Sequence, residues 1–254
     1  MYFTQYKQAF DRDGFVVIPQ FLSEEDLAEL NSNLDRYVRE IVPTLSDVHA
    51  FYQDKNRPET LKQMQHMSEQ DAYFEDYRGH ARWNSLAEIL LGEPVEPQQA
   101  EWFNKPPLTE HPTPPHQDNY YFKLRPPNVM TAWLALDPID EENGCLRYVA
   151  GSHRLGLRPH CQTEVLGFSQ GITDYGVADE SREQVICLQP GDLAVHHGET
   201  IHRADPNRSA IRRRRAFAMV FYGASCELDE EAHRRYQEIA RSQHISMGLK
   251  PGED

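Results

Sequence analysis

Apolar residues recur at helical spacing at Leu27, Leu30, Leu34, Val38 and Ile41, which predicts an amphipathic helix to about residue 42 with one face packed against a sheet. Ser23 stands before it as N-cap, and Asp26 three residues on makes a weaker form of the capping box. Ahead of it, a short helix over 6–12 leads through Asp13-Gly14 into an apolar strand, Phe15-Val16-Val17-Ile18, that Pro19 stops. Between 43 and 92 the pattern loosens to one predicted helix, 84–91, closed by Gly92 and Pro94. From residue 96 onward the period changes. Short β-like runs over 99–104, 120–124, 129–136, 146–149, 184–188, 193–196 and 214–222 alternate with Pro, Gly and Asn turns. Such strands without long helices between them predict an antiparallel sandwich, jelly roll or barrel. A charged amphipathic helix over 227–243 follows. No repeat, low-complexity tract or linker interrupts the pattern, so the expectation is one domain over 1–254: a helical part at about 5–92, a strand-rich core at about 96–223 and the C-terminal helix.

Composition narrows the function classes. The 254 residues carry 26 Lys+Arg against 40 Asp+Glu, a formal charge of −14. That balance argues against nucleic acid as the main partner, because phosphate affinity comes from clustered positive charge. Hydrophobic residues at 39% suffice for a core. No apolar stretch reaches the length of a membrane span, and neither end reads as a targeting signal. The expectation is a soluble, cytoplasmic protein with a small-molecule partner and no membrane or nucleic-acid partner; the oligomeric state is not legible. Cys145, Cys161, Cys187 and Cys226 are scattered without a C-x-x-C pair, which disfavours structural zinc and suggests reduced, structural thiols.

Among 12 histidines, His116-Gln117-Asp118 is the first informative group. In a strand, residues two apart share a face, so an imidazole and a carboxylate could reach one ion. Two histidines and one carboxylate suit iron(II) and leave positions open for other ligands. Alone the motif is weak, since chance supplies about one H-x-D in such a chain. A second cluster, His196-His197-Gly198-Glu199-Thr200-Ile201-His202, follows a short apolar strand and could be brought beside the first by an antiparallel sheet. After it, Arg203, Arg208 and the run Arg212 to Arg215 reverse the local charge; for most of these a solvated loop is as good a reading. One of them begins the strand Ala216 to Tyr222, where a buried guanidinium needs a carboxylate or phosphate partner. Asn143-Gly144 and Gly151-Ser152-His153 read as turn chemistry, Tyr120, Tyr121 and Phe122 as core, and His111 as exposed.

Asn104-Lys105-Pro106-Pro107, His116-Gln117-Asp118, Arg125-Pro126, Ala132-Trp133, Asn143-Gly144-Cys145-Leu146 and Gly151-Ser152-His153 occur in the order that resembles the phytanoyl-CoA dioxygenase family of iron(II)/2-oxoglutarate oxygenases. The front, Asp13 to Pro19 and Phe21 to Glu25, resembles it too. The resemblance implies a mainly β fold with flanking helices, a cupin-like double-stranded β-helix (jelly roll). It implies His116, Asp118 and His202 as iron ligands, with His197 as the rival third histidine, and 2-oxoglutarate and O2 at the remaining positions. The distal carboxylate of 2-oxoglutarate is expected on Arg213, counting forward from His202, or on Arg214, anchoring on the strand; Arg214 shares its face with small residues and is favoured. Asn104 and Trp133 are expected beside the cosubstrate. Many members carry a serine where this chain has Ala204. The implied activity is hydroxylation of an aliphatic C–H, since the carboxylate that halogenases replace is present as Asp118, with 2-oxoglutarate converted to succinate and CO2. Acyl-CoA and small polar metabolites are both substrates within the family, and residues 166–182 are expected as a lid. A non-catalytic jelly roll binding a metal or an anion is the alternative of another class.

Overall fold

The structure, a computed structural model, describes residues 2–163 and 170–246. Helix α1 (Thr4–Asp13) stops where Gly14 takes a φ of 82° and donates its N–H to the Phe10 carbonyl, and the chain turns into β1 (Phe15–Ile18). Ser23 caps α2 (Glu24–Glu40), accepting from the Asp26 amide as its position predicts. Then come β2 (Ala50–Tyr52), β3 (Leu61–Met64), α3 (Met67–Gln70), α4 (Ala72–Arg78) and α5 (Ala81–Leu91). The strand-rich part runs β4 (Val95–Lys105), β5 (Thr113–His116), α6 (Asn119–Phe122), β6 (Leu124–Arg125), β7 (Val129–Ala135), β8 (Leu146–Val149), β9 (His160–Gln162) and β10 (Gln170–Ile172). It continues with α7 (Val177–Glu180), β11 (Glu183–Ile186), β12 (Leu193–His197), β13 (His202–Ala204), β14 (Arg214–Gly223), β15 (Glu227–Leu228) and α8 (Glu230–Ser246).

Two antiparallel sheets face each other. The larger has the order β1-β12-β7-β14-β4-β3-β2, the smaller β11-β8-β13-β5. Alternation along β14 divides the interior. Phe217, Met219 and Phe221 point away from the smaller sheet into an apolar cluster with Leu30, Leu34, Tyr37, Trp83, Leu86 and Leu90 of the helices. Ala216 and Ala218 point the other way, between the sheets, with Trp133, Ala135, Ala194, Leu146 and Tyr148. Helices therefore cover one face of the larger sheet, while small residues on its other face leave room between the sheets. This is the expected mainly β jelly roll with flanking helices.

Several local expectations change. Residues 120–124, read as a strand, form the single turn α6 and the start of β6. The loosely patterned stretch before α5 adds β2 and β3 to the larger sheet. The strand expected at His116 to Asp118 instead lies just ahead, as β5, and ends on His116; β13 lies where no strand was predicted, and 227–228 pairs with β6 before α8 begins. No helix among the described residues is long and apolar enough to cross a membrane.

Candidate active site

Strand β5 ends on His116, whose register partner is His202, the first residue of β13. Their rings lie 4.1 Å apart between centroids. His116 Nδ1 is 2.8 Å from the Pro114 carbonyl and His202 Nδ1 3.0 Å from the Thr200 carbonyl. A carbonyl only accepts, so each Nδ1 carries the proton and each Nε2 presents a lone pair to the centre. Burial holds His202 well below the usual imidazole range, helped by His116 and His196, which keeps it in the neutral form a metal requires.

Asp118 reaches the same point by a route that strand alternation does not describe. Its backbone is already helical, φ −61° and ψ −36°, as the residue before α6. The carboxylate is delivered by the turn out of β5, with Oδ1 3.5 Å from Nε2 of both His116 and His202. Donors about 2.1 Å from an ion at right angles stand ~3 Å apart, so a few tenths of an ångström of contraction would close the three around one metal.

The other oxygen of Asp118 is engaged by the larger sheet. Oδ2 accepts from Thr131 Oγ1 at 2.6 Å and from His196 Nε2 at 2.9 Å. Thr131 on β7 and His196 on β12 are register partners. His196 Nδ1 in turn lies 2.9 Å from the Tyr148 hydroxyl on β8. Sequence reasoning weighed His197 and passed over His196. Alternation along β12 was the available signal: His197 is displaced to the other face, against Phe10 and His153, where burial pushes it down to about 4. His153 lies there too, its Nε2 3.2 Å from the Asp11 carbonyl.

From the three donors a cavity of about 110 Å³ runs to Arg214. Of the arginine run, Arg214 alone turns inward: it is 3% exposed, its Nε is buried without a partner, and its guanidinium carbon lies 5.2 Å from the Trp133 ring centre. Burial pushes it down to about 10. Arg213 is exposed, Arg212 forks onto Asp140 and Arg215 onto Asp137. Lys105, the register partner of Arg214, spends its Nζ on the carbonyls of Ala204 and Asp205 at 3.2 and 2.6 Å. Asn104 also lines the cavity; its Nδ2 donates to the Leu61 carbonyl at 2.8 Å, and its Oδ1 is buried without a partner. Asp118 is the one acid among the cavity-lining residues. Exposed His111 stands at the rim. Of the expected lid, residues 166–169 lie outside the described residues, and the stretch after it is tied down by Arg158 on Asp174 and Asp179.

The family model described as Phytanoyl-CoA dioxygenase (PhyH) matches residues 10–216. The peroxisomal phytanoyl-CoA dioxygenase of Mus musculus is 28% identical over 260 residues, covering 93% of this chain and 73% of the relative. A probable alpha-ketoglutarate-dependent hypophosphite dioxygenase of Stutzerimonas stutzeri is 25% identical over 231 residues, 89% of this chain and 79% of that one. Among solved structures, EvdO2 from Micromonospora carbonacea var. aurantiaca complexed with 2-oxoglutarate superposes with a TM-score of 0.71 at 28% identity, over 88% of this chain and 91% of that chain. With the match spanning both histidines, the carboxylate and the inward-facing arginine, the chain belongs to the phytanoyl-CoA dioxygenase family.

Proposed function

We propose that the protein is a non-haem iron(II)- and 2-oxoglutarate-dependent dioxygenase that hydroxylates an aliphatic C–H of a small organic substrate, with conversion of 2-oxoglutarate to succinate and CO2. The observation that carries this reading is one cavity with a two-histidine, one-carboxylate cluster at one end and an unpartnered buried arginine Nε at the other. His116, Asp118 and His202 would hold the iron through Nε2, Oδ1 and Nε2. Arg214, rather than the exposed Arg213, would take the distal carboxylate of 2-oxoglutarate, with Trp133 and Asn104 beside it. Bound iron, 2-oxoglutarate and O2 supply the oxidising power.

The chain's own residues do the rest. Nδ1–H bonds to backbone carbonyls fix both imidazoles with a lone pair inward. Asp118 would offer one carboxylate oxygen to the iron, in the place that a halide would otherwise take, which supports hydroxylation. The apolar walls, Phe103, Leu146 and Trp133, exclude water around the site. Ion pairs from Arg212 and Arg215 to Asp140, Glu142 and Asp137 neutralise half of the basic run, in line with a small-molecule partner rather than a polyanion. We read the helices, the two sheets and the site as one domain.

The test is succinate formation by the purified protein with iron(II), ascorbate, O2 and 2-oxoglutarate. Slow uncoupled turnover is expected, and Asp118→Ala should abolish it. Equal succinate from the alanine variant would sink the ligand assignment, and none from the wild type would favour a binding protein.

A further inference from the structure

Asp118 has left the strand that positions His116, so no ladder hydrogen bond orients its side chain. Its orientation must come from side chains. Oδ2 is claimed by Thr131 and His196. A carboxylate only accepts, so His196 Nε2 donates to it, and the Tyr148 hydroxyl is hydrogen-bonded to the other ring nitrogen, 2.9 Å from Nδ1. Tyr148 and His196 are 0% and 2% exposed.

The topology gives this chain of bonds a mechanical sense. Both histidines of the cluster belong to the smaller sheet, while Asp118 is fastened through Thr131 and His196 to the larger one. Tyr148 sits on the smaller sheet as the register partner of His202. The bonds from Tyr148 through His196 to Asp118 therefore span the two sheets at the cluster itself. They tie the spacing of the sheets to the place where Oδ1 stands.

We propose that His196 and Tyr148 are positioning residues that hold Asp118 as a ligand through Oδ1 alone, keeping Oδ2 off the metal and its open positions clear. This rests on the assignment of His116, Asp118 and His202 as the metal ligands. Partners of this kind typically contribute 10- to 100-fold in metal affinity.

Cobalt(II) tests this without turnover, because its absorption reports coordination number and its titration reports affinity. The variants are Tyr148→Phe, which keeps the ring stacked 4.7 Å from Phe15, His196→Leu, and His196→Gln, whose amide can still donate to Oδ2. Tyr148→Phe and His196→Leu should each weaken cobalt about 10- to 100-fold and alter the spectrum. His196→Gln should restore part of both. The double variant with leucine should be no worse than His196→Leu, since Tyr148 acts through His196. Thermal unfolding of the metal-free proteins controls for folding, and Tyr148→Phe should still unfold cooperatively there, with its midpoint lowered by no more than the loss of one buried hydrogen bond accounts for. Wild-type affinity and spectrum in Tyr148→Phe and His196→Leu would overturn the proposal, as would additive losses in the double variant. A wild type that binds no cobalt, or an Asp118→Ala variant that binds it normally, would instead overturn the ligand assignment beneath it.

Discussion

Arg214 shows how much one side chain depends on which way a strand turns it. Arg212, Arg213, Arg214 and Arg215 are equal in composition, yet Arg214 is buried beside Trp133 with an unpartnered Nε, whereas Arg213 faces solvent. A buried guanidinium without a carboxylate is costly, and binding a dicarboxylate would repay that cost. Arg214→Met should therefore raise the KM for 2-oxoglutarate by at least about 30-fold, matching the 2 kcal/mol or more lost when one partner of a buried charged pair is removed. Arg213→Ala should leave it within about twofold, as expected of an exposed residue. Uncoupled succinate formation against 2-oxoglutarate concentration measures both, and the reverse ranking would move the anchor to Arg213. Alternation along a strand was enough to favour Arg214 in the sequence because β14 is ten residues long and its pairing with β4 runs unbroken from Arg214 to Met219.

At the scale of elements, the regular parts were legible and the irregular ones were not. Helix α2 announced itself by its cap and its apolar period, and β7, β12 and β14 by continuous apolar runs. Strand β5 did not, because Thr113-Pro114-Pro115-His116 reads as a loop; prolines are tolerated there since β5 is an edge strand. Strand β13 is three residues long, too short for any period. The departure of Asp118 from strand geometry followed from α6, which is hung from the turn after β12: the Asn119 amide donates to the Gly198 carbonyl at 2.8 Å, and the Gly198 amide to the Val129 carbonyl at 2.7 Å. A Cβ on Gly198 would stand 2.5 Å from Cγ1 of buried Val129. Gly198→Ala should thus cost about 1–3 kcal/mol through overpacking and, by shifting α6, weaken cobalt binding. Gly176→Ala, with open space around it, should change neither. Differential scanning calorimetry and cobalt titration check the pair, and equal behaviour of the two variants would refute the coupling of this turn to Asp118.

At the scale of the whole molecule, the −14 charge and the buried histidines pull stability in opposite directions as pH falls. Acidification toward the isoelectric point relieves self-repulsion and favours the fold. Burial opposes this at His160 and His197, both pushed down to about 4. The usual imidazole value is ~6.5, so between about 6.5 and 4 the unfolded chain binds protons that the folded chain refuses. Their contribution is full above that window and is lost through it, about 1.4 kcal/mol per pH unit for each group at most. Glu101 has the other sign. Burial pushes it up to about 7 despite its bond from Gln63, so the folded chain keeps a proton that the unfolded chain releases above ~4.3, and stability is lost as pH rises through that interval. Some Glu101 surface remains accessible, which reduces the penalty to roughly 1–2 kcal/mol. Glu101→Gln should consequently stabilise the metal-free protein at pH 8, do little at pH 4.5, and steepen the loss of stability between pH 7 and 5 by leaving the histidines unopposed. Salt separates the buried groups from the net charge, because 0.5 M NaCl screens surface repulsion and barely reaches a buried site. Urea unfolding at pH 5, 7 and 8 with and without salt reads each contribution. A variant less stable than the wild type at pH 8 would mean that the Glu101 carboxylate is stabilised in its charged form, and the sign assigned to it would be wrong.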